Sequence, residues 1–303
     1  MKFKQMVKWT LGLGMGVMSA APSVVQAQQG IPANEGIQWQ VPTPAIMEEA
    51  KAGNKLVLAD FYADWCGYCR MQDATAYQDD RVILMTEQVV ATKINEKNYR
   101  EMIAQHKVNG YPTVVIMDSN GEEVRRISGA FKETKGYVQW LGNVLFEKAL
   151  PNMNAALEKQ PDDIKLLTTI ALVYNSTEEH EEKVAELLEK AGDLALTQYD
   201  AGGKIEADKN GQVARTFRLL SMYFLSLNDY QRAVGSLHYL ATTSSRPREV
   251  VAARLLLAEN LFQINELPKA IAELESLLKV EGLSAAEKQA AQTALDGYKK
   301  APA

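Results

Sequence analysis

Two rhythms of apolar and polar positions run along this 303-residue chain. In the first half, short apolar runs alternate with segments of helical spacing. "AIMEEAKAGN", 45–54, has helical spacing and a stop at Gly53–Asn54. "KLVLADFYA", 55–63, is apolar and β-prone, which predicts a buried strand. "RMQDATAYQD", 70–79, is polar and compatible with a helix, and "VVATKINE", 89–96, predicts a second strand. "NYREMIAQHKV", 98–108, predicts a helix stopped by Asn109–Gly110. "PTVVIMD", 112–118, is a third strand. The turn Asp118–Ser119–Asn120–Gly121 leads into its hairpin partner "EEVRRISGA", 122–130. "KETKGYVQWLGNVLFEKAL", 132–150, closes the series as a helix. This order predicts an α/β domain over 38–150.

From Pro151 the character changes. Leu and Ala recur at three- and four-residue spacings, with no strand signal, so 151–303 is expected to be all-α. "LNDYQRAV", 227–234, aligns with "INELPKAI", 264–271, at an offset of 37 residues. The alignment extends from Leu220, Ser221 and Phe224 on one side to Leu237 and Leu240 on the other. Their counterparts are Leu257, Ala258, Leu261, Leu274 and Leu277. "IKLLTTIALVYNS" and "EKVAELLEKAGDLAL", upstream, form a third and degenerate pair. With central alanines at Ala233 and Ala270, the segment resembles the tetratricopeptide repeat. The early Trp is absent, the closing Pro is displaced and the period is slightly long. A plain helical bundle gives the same fold class.

The first residues bear on the compartment. Lys2, Lys4 and Lys8 precede the uncharged run "WTLGLGMGVMSAA", and Val25 and Ala27 stand at the small-residue positions of a cleavage site. Residues 1–27 therefore read as a secretory signal peptide, and 28–37 as a flexible lead-in. The run is too short to span a bilayer as a helix. The expected location is the periplasm. Loss of the three lysines leaves 30 basic residues against 38 acidic ones, a net charge of −8. That balance argues against nucleic acid and anionic membranes as partners.

Cys66 and Cys69 are the two cysteines of the chain, in "FYADWCGYCRM". Three readings compete. A zinc site needs four ligands, while His106, His180 and His238 are scattered without ligand spacing, so no metal is expected. A purely structural disulfide across so short a loop would constrain the unfolded chain little. The redox reading fits the placement. A strand running into Cys-x-x-Cys at the start of a helix puts the first sulfur among unpaired backbone N–H groups, which favour the thiolate. The second sulfur, one turn on, is shielded and suited to resolve.

"LADFYADWCGYC" resembles the active-site strand and turn of the thioredoxin superfamily, and the resemblance extends over about 40–145. It implies an α/β thioredoxin fold, a mixed sheet flanked by helices, followed here by the helical domain. Asp60 falls where thioredoxins keep a buried acid, and Lys93 where a lysine neighbours it. Trp65 precedes the first cysteine, Tyr111–Pro112–Thr113 matches the cis-proline loop, and Gly129 the glycine after the last strand. "DATAYQDDRVI" and the segment from Asn98 to Ala130 bring the chain nearest to the periplasmic C-terminal domains of DsbD and its relatives. The chain lacks their membrane conduit, and Tyr68 stands where thioredoxins usually have proline.

The resemblance implies an exported thiol:disulfide oxidoreductase, with no cofactor beyond the Cys66–Cys69 pair. Cys66 would attack, Cys69 resolve, Asp60 accept the proton and Lys93 tune that acid. Trp65, Gly67, Tyr68, Tyr111 and Pro112 would meet the substrate. Reduction or interchange is expected rather than oxidation. Expected partners are protein thiols and disulfides, with a membrane-embedded redox protein as electron source and peptides or proteins on the helical domain. The alternative is a non-catalytic periplasmic adaptor that uses the thioredoxin fold as a scaffold.

Overall fold

The structure is a computed structural model that describes residues 36–201, 212–244 and 246–300. The expected signal peptide, 1–27, most of the expected lead-in and the last three residues lie outside the described residues. The chain divides into two compact units, at Leu188/Glu189.

The first unit is built on a four-stranded sheet: β1 Leu56–Tyr62, β2 Val89–Asn95, β3 Thr113–Met117 and β4 Glu123–Ser128. The spatial order is β2-β1-β3-β4, with β1 parallel to β2 and antiparallel to β3, and β3 antiparallel to β4. The β3–β4 turn forms because the Asp118 carboxylate accepts from the backbone N–H of Asn120 and Glu122 while Gly121 takes φ +87°. Gln40 adds a parallel bridge beyond β2, its N–H donating to Ala91 O at 2.9 Å.

Side chains alternate across the sheet. Val57, Ala59 and Phe61 join Val90, Ile94, Val115 and Met117 in one core, covered by Ile46 and Ala50 of α1 (Ala45–Gly53). Leu58 and Asp60, buried as well, therefore face the other side. The helices after β1 are α2 Gly67–Ala74 and α3 Asp80–Thr86, and α4 Arg100–Gln105 follows β2. Helix α3 was not expected from the sequence. It is capped by the Asp79 carboxylate, which accepts from Arg81 N at 2.9 Å, and Val82 to Thr86 are all buried. Helix α4 ends earlier than expected. Lys107, at φ +51°, supplies the left-handed stop assigned to Asn109–Gly110, and Val108 N–H closes back on Ile103 O.

Helices α5 Thr134–Lys148, α6 Leu150–Lys159 and α7 Ile164–Asn175 follow, and the first part of α8 (Glu181–Asp200) completes this unit. Gly142 permits the close approach of α5 to the end of α7: a Cβ there would stand 2.4 Å from that of Ser176. The change at residue 150 is one of secondary structure, and the compact unit continues past it.

The second unit is helical throughout its described residues. It takes in the C-terminal part of α8 (Glu181–Asp200), then α9 Gln212–Ser226, α10 Tyr230–Thr243, α11 Pro247–Gln263, α12 Leu267–Leu277 and α13 Ala285–Lys300. The 37-residue offset recurs in its turns. Asn228 and Asn265 both adopt the left-handed conformation, at φ 56° and 63°. After each, the next N–H returns to the preceding helix: Asp229 to Phe224 O at 2.9 Å and Glu266 to Leu261 O at 2.8 Å. The central alanines Ala233 and Ala270 are buried, and so are the flanking aligned pairs from Leu220 and Leu257 to Leu240 and Leu277. Gly235 lets α10 approach the backbone of Ala195 on α8.

Candidate redox site

The site forms where β1 runs out. Cys66 caps α2 with extended backbone, and its Sγ accepts from Cys69 N–H at 3.0 Å. Cys66 and Cys69 are joined as a disulfide, and both are almost fully buried. They pack with Ala63, Tyr62 and Tyr111. The turn before them is tied down. Asp64 accepts from Lys97 Nζ at 2.9 Å and Asn95 Nδ2 at 2.8 Å, and its backbone oxygen accepts from Arg70. These partners, Lys97 first, hold the Asp64 carboxyl below the usual range.

The rim is aromatic. Trp65 and Tyr68 are each 67% exposed, the two most exposed aromatic side chains among the described residues. Trp65 is not loose: its Nε1–H donates to Glu96 Oε1 at 2.6 Å, and its ring meets Tyr111 edge to face at 5.9 Å. Partial burial, with the Glu96 charge added, raises the Tyr111 phenol above its usual range. Gly67 opens α2 with only Arg70 near its missing Cβ, at 3.9 Å. The Tyr111–Pro112 peptide bond is cis, and Pro112 O accepts from Gly129 N–H at 2.7 Å.

On the face of β1 opposite the core covered by α1, the face that also carries Tyr62, lies a buried polar group. Asp60 is 2% exposed and paired in register with Lys93 of β2. The Lys93 ammonium lies 3.7 Å from Asp60 Oδ2 and bonds to Asp73 of α2. Three rings surround it, Trp39, Tyr62 and Tyr77, with centroids 5.2 to 5.3 Å away. Burial drives the Asp60 carboxyl up to about 7. Lys93 opposes the rise and Asp73 adds to it. At neutral pH Asp60 thus changes protonation readily, as proton exchange with a thiol demands.

The fold therefore gathers the sequence-predicted residues into two sets. Cys66, Cys69, Trp65 and Tyr111 meet at the start of α2, and Asp60 meets Lys93 across β1 and β2. Glu96, Asp73, Tyr77, Trp39 and Tyr137 escaped the sequence reading. Glu96 lies three residues from Lys93, and that spacing carried no motif. The three histidines lie against separate rings, His106 on Phe61, His180 on Phe146 and His238 on Tyr199. Among the described residues no group of three or more His, Cys, Asp or Glu side chains is placed to hold a metal ion. None of the described helices is long and apolar enough to cross a membrane.

The thioredoxin family model matches residues 42–142. A protein disulfide isomerase-like 1-2 of Oryza sativa subsp. japonica is 33% identical over 132 residues, 41% of this chain and 24% of that protein. The thiol:disulfide interchange protein DsbD of Pasteurella multocida (strain Pm70) is 33% identical over 99 residues, 30% of this chain and 17% of that protein. The chain spans between 17% and 40% of the length of the curated relatives it matches. Among solved structures, a DsbH oxidoreductase shares 20% identity, with 39% of this chain and 91% of that one covered and a TM-score of 0.32. Residues 42–142 of this chain are a thioredoxin domain, and the chain continues beyond it as a helical region.

Proposed function

We propose that this protein is an exported thiol:disulfide oxidoreductase that reduces or exchanges disulfides of other proteins. The observation that carries the reading is the Cys66–Cys69 disulfide at the start of α2, with Cys66 as the helix cap. In the reduced protein, the Cys66 thiolate attacks one sulfur of a substrate disulfide. A mixed disulfide forms and the other substrate sulfur leaves as a thiolate, which takes up a proton. Cys69 gives its proton to Asp60 and attacks Cys66 Sγ. The second substrate sulfur is released, and the Cys66–Cys69 disulfide is re-formed. Two electrons pass from the dithiol to the substrate.

Backbone N–H groups at the start of α2 favour the Cys66 thiolate. Trp65, Tyr68 and Tyr111 offer the substrate an aromatic rim. The cis Tyr111–Pro112 loop presents backbone to an extended substrate strand. Gly67 keeps the approach between the cysteines open. Lys93 tunes Asp60. The relatives named for disulfide isomerisation and interchange support the reaction class.

Export and a periplasmic location rest on the signal-like residues 1–27. A reductase outside the cytoplasm needs electrons. The chain has one cysteine pair, so a membrane-embedded redox protein is the proposed donor. The α9–α10 and α11–α12 hairpins are read as tetratricopeptide-like units that bind clients or partners. Reduction of insulin disulfides by the full chain, against Cys66→Ser, tests the reading. Activity lost with Cys66 supports it. An inactive wild type would leave a scaffold or adaptor instead.

A further inference from the structure

Trp39 lies outside residues 42–142, the stretch that the thioredoxin family model matches, yet its ring reaches the Asp60–Lys93 pair. The segment that carries it is pinned to the edge of the sheet. Gln40 N–H donates to Ala91 O at 2.9 Å, Thr92 Oγ1 donates to Gln40 O at 2.9 Å, and Gln40 Nε2 donates to Glu49 Oε2 at 2.8 Å. Ile37, two residues before Trp39, is buried. So anchored, the Trp39 ring lies 5.2 Å from the Lys93 ammonium. It also meets Tyr77, in the short 3-10 turn Ala76–Gln78 after α2, edge to face at 5.0 Å. Tyr62 and Tyr77 supply the other two rings around the ammonium, and Tyr62 packs against the cysteines as well.

Lys93 stands between two carboxylates. It bonds to Asp73, whose side chain is 43% exposed, and lies 3.7 Å from the buried Asp60. A lysine stem is flexible and its ammonium strongly hydrated, so hydration draws the charge outward, past Asp73 and away from Asp60. Attraction of the cation to the ring faces opposes that movement. We infer that Trp39 is a positioning residue that keeps the Lys93 ammonium beside Asp60, which makes the segment ahead of the family-matched stretch part of the redox site. The inference rests on the proposed role of Asp60. The titratable groups that face Asp60 are Lys93 from β2, Asp73 from α2, Tyr77 from the turn after it and Tyr137 from α5. Of these Lys93 alone is a cation, and its charge opposes the rise that burial imposes on the Asp60 carboxyl.

The test is a titration of the Asp60 carboxyl carbon by NMR in the full, oxidised chain. The resonance is identified by its loss in Asp60→Asn. Trp39→Leu keeps an apolar wall and removes the ring, so the Asp60 midpoint should rise by about half a pH unit. Trp39→Phe keeps a ring and should hold the midpoint near that of wild type. In a Lys93→Met background no ammonium remains to be held, so Trp39→Leu should add nothing there. An unchanged or lowered midpoint in Trp39→Leu, an equal rise in Trp39→Phe, or an equal rise in the Lys93→Met background overturns the inference. If Trp39→Leu does not fold, Trp39→Met also removes the ring and should give the same rise; no rise there overturns it equally. The pH profile of insulin reduction should move upward in Trp39→Leu and stay in place in Trp39→Phe. A wild type that reduces no insulin would refute the redox role itself, and the titration would still decide whether Trp39 holds Lys93 beside Asp60.

Discussion

Asp60 and Lys93 are register partners on neighbouring parallel strands, yet the Lys93 ammonium bonds to Asp73 and stays 3.7 Å from the Asp60 carboxylate. The buried acid therefore lacks a tight ion pair. Burial dominates, and its pKa rises to about 7.

That rise has a cost in stability above neutrality. The native protein holds a proton on Asp60 that the unfolded chain, with an ordinary carboxyl near 3.8, has already lost. Stability from this group is full below about pH 4 and is lost as pH rises through about 7. Asp60→Asn should gain on the order of 4 kcal/mol relative to wild type at pH 8, and little at pH 4. Urea unfolding at the two pH values checks this. An equal effect at both would contradict the buried, raised carboxyl.

Cys66 and Cys69 should separate by role. Cys66→Ser should abolish insulin reduction. Cys69→Ser keeps the attacking sulfur and removes the resolving one, so it should accumulate mixed disulfides with substrate. Non-reducing gels after acid quench would show these adducts, and their absence would refute the assignment of Cys69.

Trp65 is held by Glu96 at 2.6 Å on an exposed rim. Glu96→Ala should free the indole with little change in stability, under about 1 kcal/mol for so exposed a contact. Tryptophan fluorescence, read against a Trp65→Phe background, should lose one constrained emitter. Insulin reduction should slow modestly. An unaltered spectrum would mean that the Glu96 bond does not hold the ring.

In the helical unit, Arg218 and Glu249 make a buried ion pair at 2.6 Å, and Ser244 bonds to the other Glu249 oxygen. Arg218→Met strands the carboxylate and should destabilise the protein by about 3–5 kcal/mol. Adding Glu249→Met should recover most of that loss. Failure of the second change to help would mean that Arg218 acts through other contacts.

Two glycines give opposite expectations. A Cβ on Gly235 would lie 2.7 Å from the Ala195 backbone, so Gly235→Ala should cost about 1–3 kcal/mol. Gly297, exposed within α13, has nothing within 4 Å of its missing Cβ. Gly297→Ala should stabilise by about 0.5–1 kcal/mol. Thermal unfolding distinguishes the two signs.

Much of the domain was legible as local pattern. The run from Leu56 to Tyr62 forms a strand because six of its seven residues are buried. Asp118 to Gly121 forms the hairpin turn because one carboxylate and one glycine meet its backbone needs. The repeat offset was legible because the same asparagine and the same buried alanine recur 37 residues apart. Helix α3 was not, because Val82 to Thr86 are buried on every side and leave no periodicity to read.

The sequence by itself determined that one cysteine pair opens a helix behind a buried strand, because that depends on neighbours in the chain. It also placed Asp60 on that strand. Only the tertiary structure decided what surrounds Asp60. Lys93 comes from another strand, Asp73 from α2, Tyr77 from the turn beyond it, and Tyr137 from α5, 77 positions further on. A pKa set by burial belongs to the packed assembly and is not written in any single segment. The same holds for Trp65, whose partner Glu96 is 31 residues away. Contacts of that range exist only once the sheet has closed and the helices have packed on it.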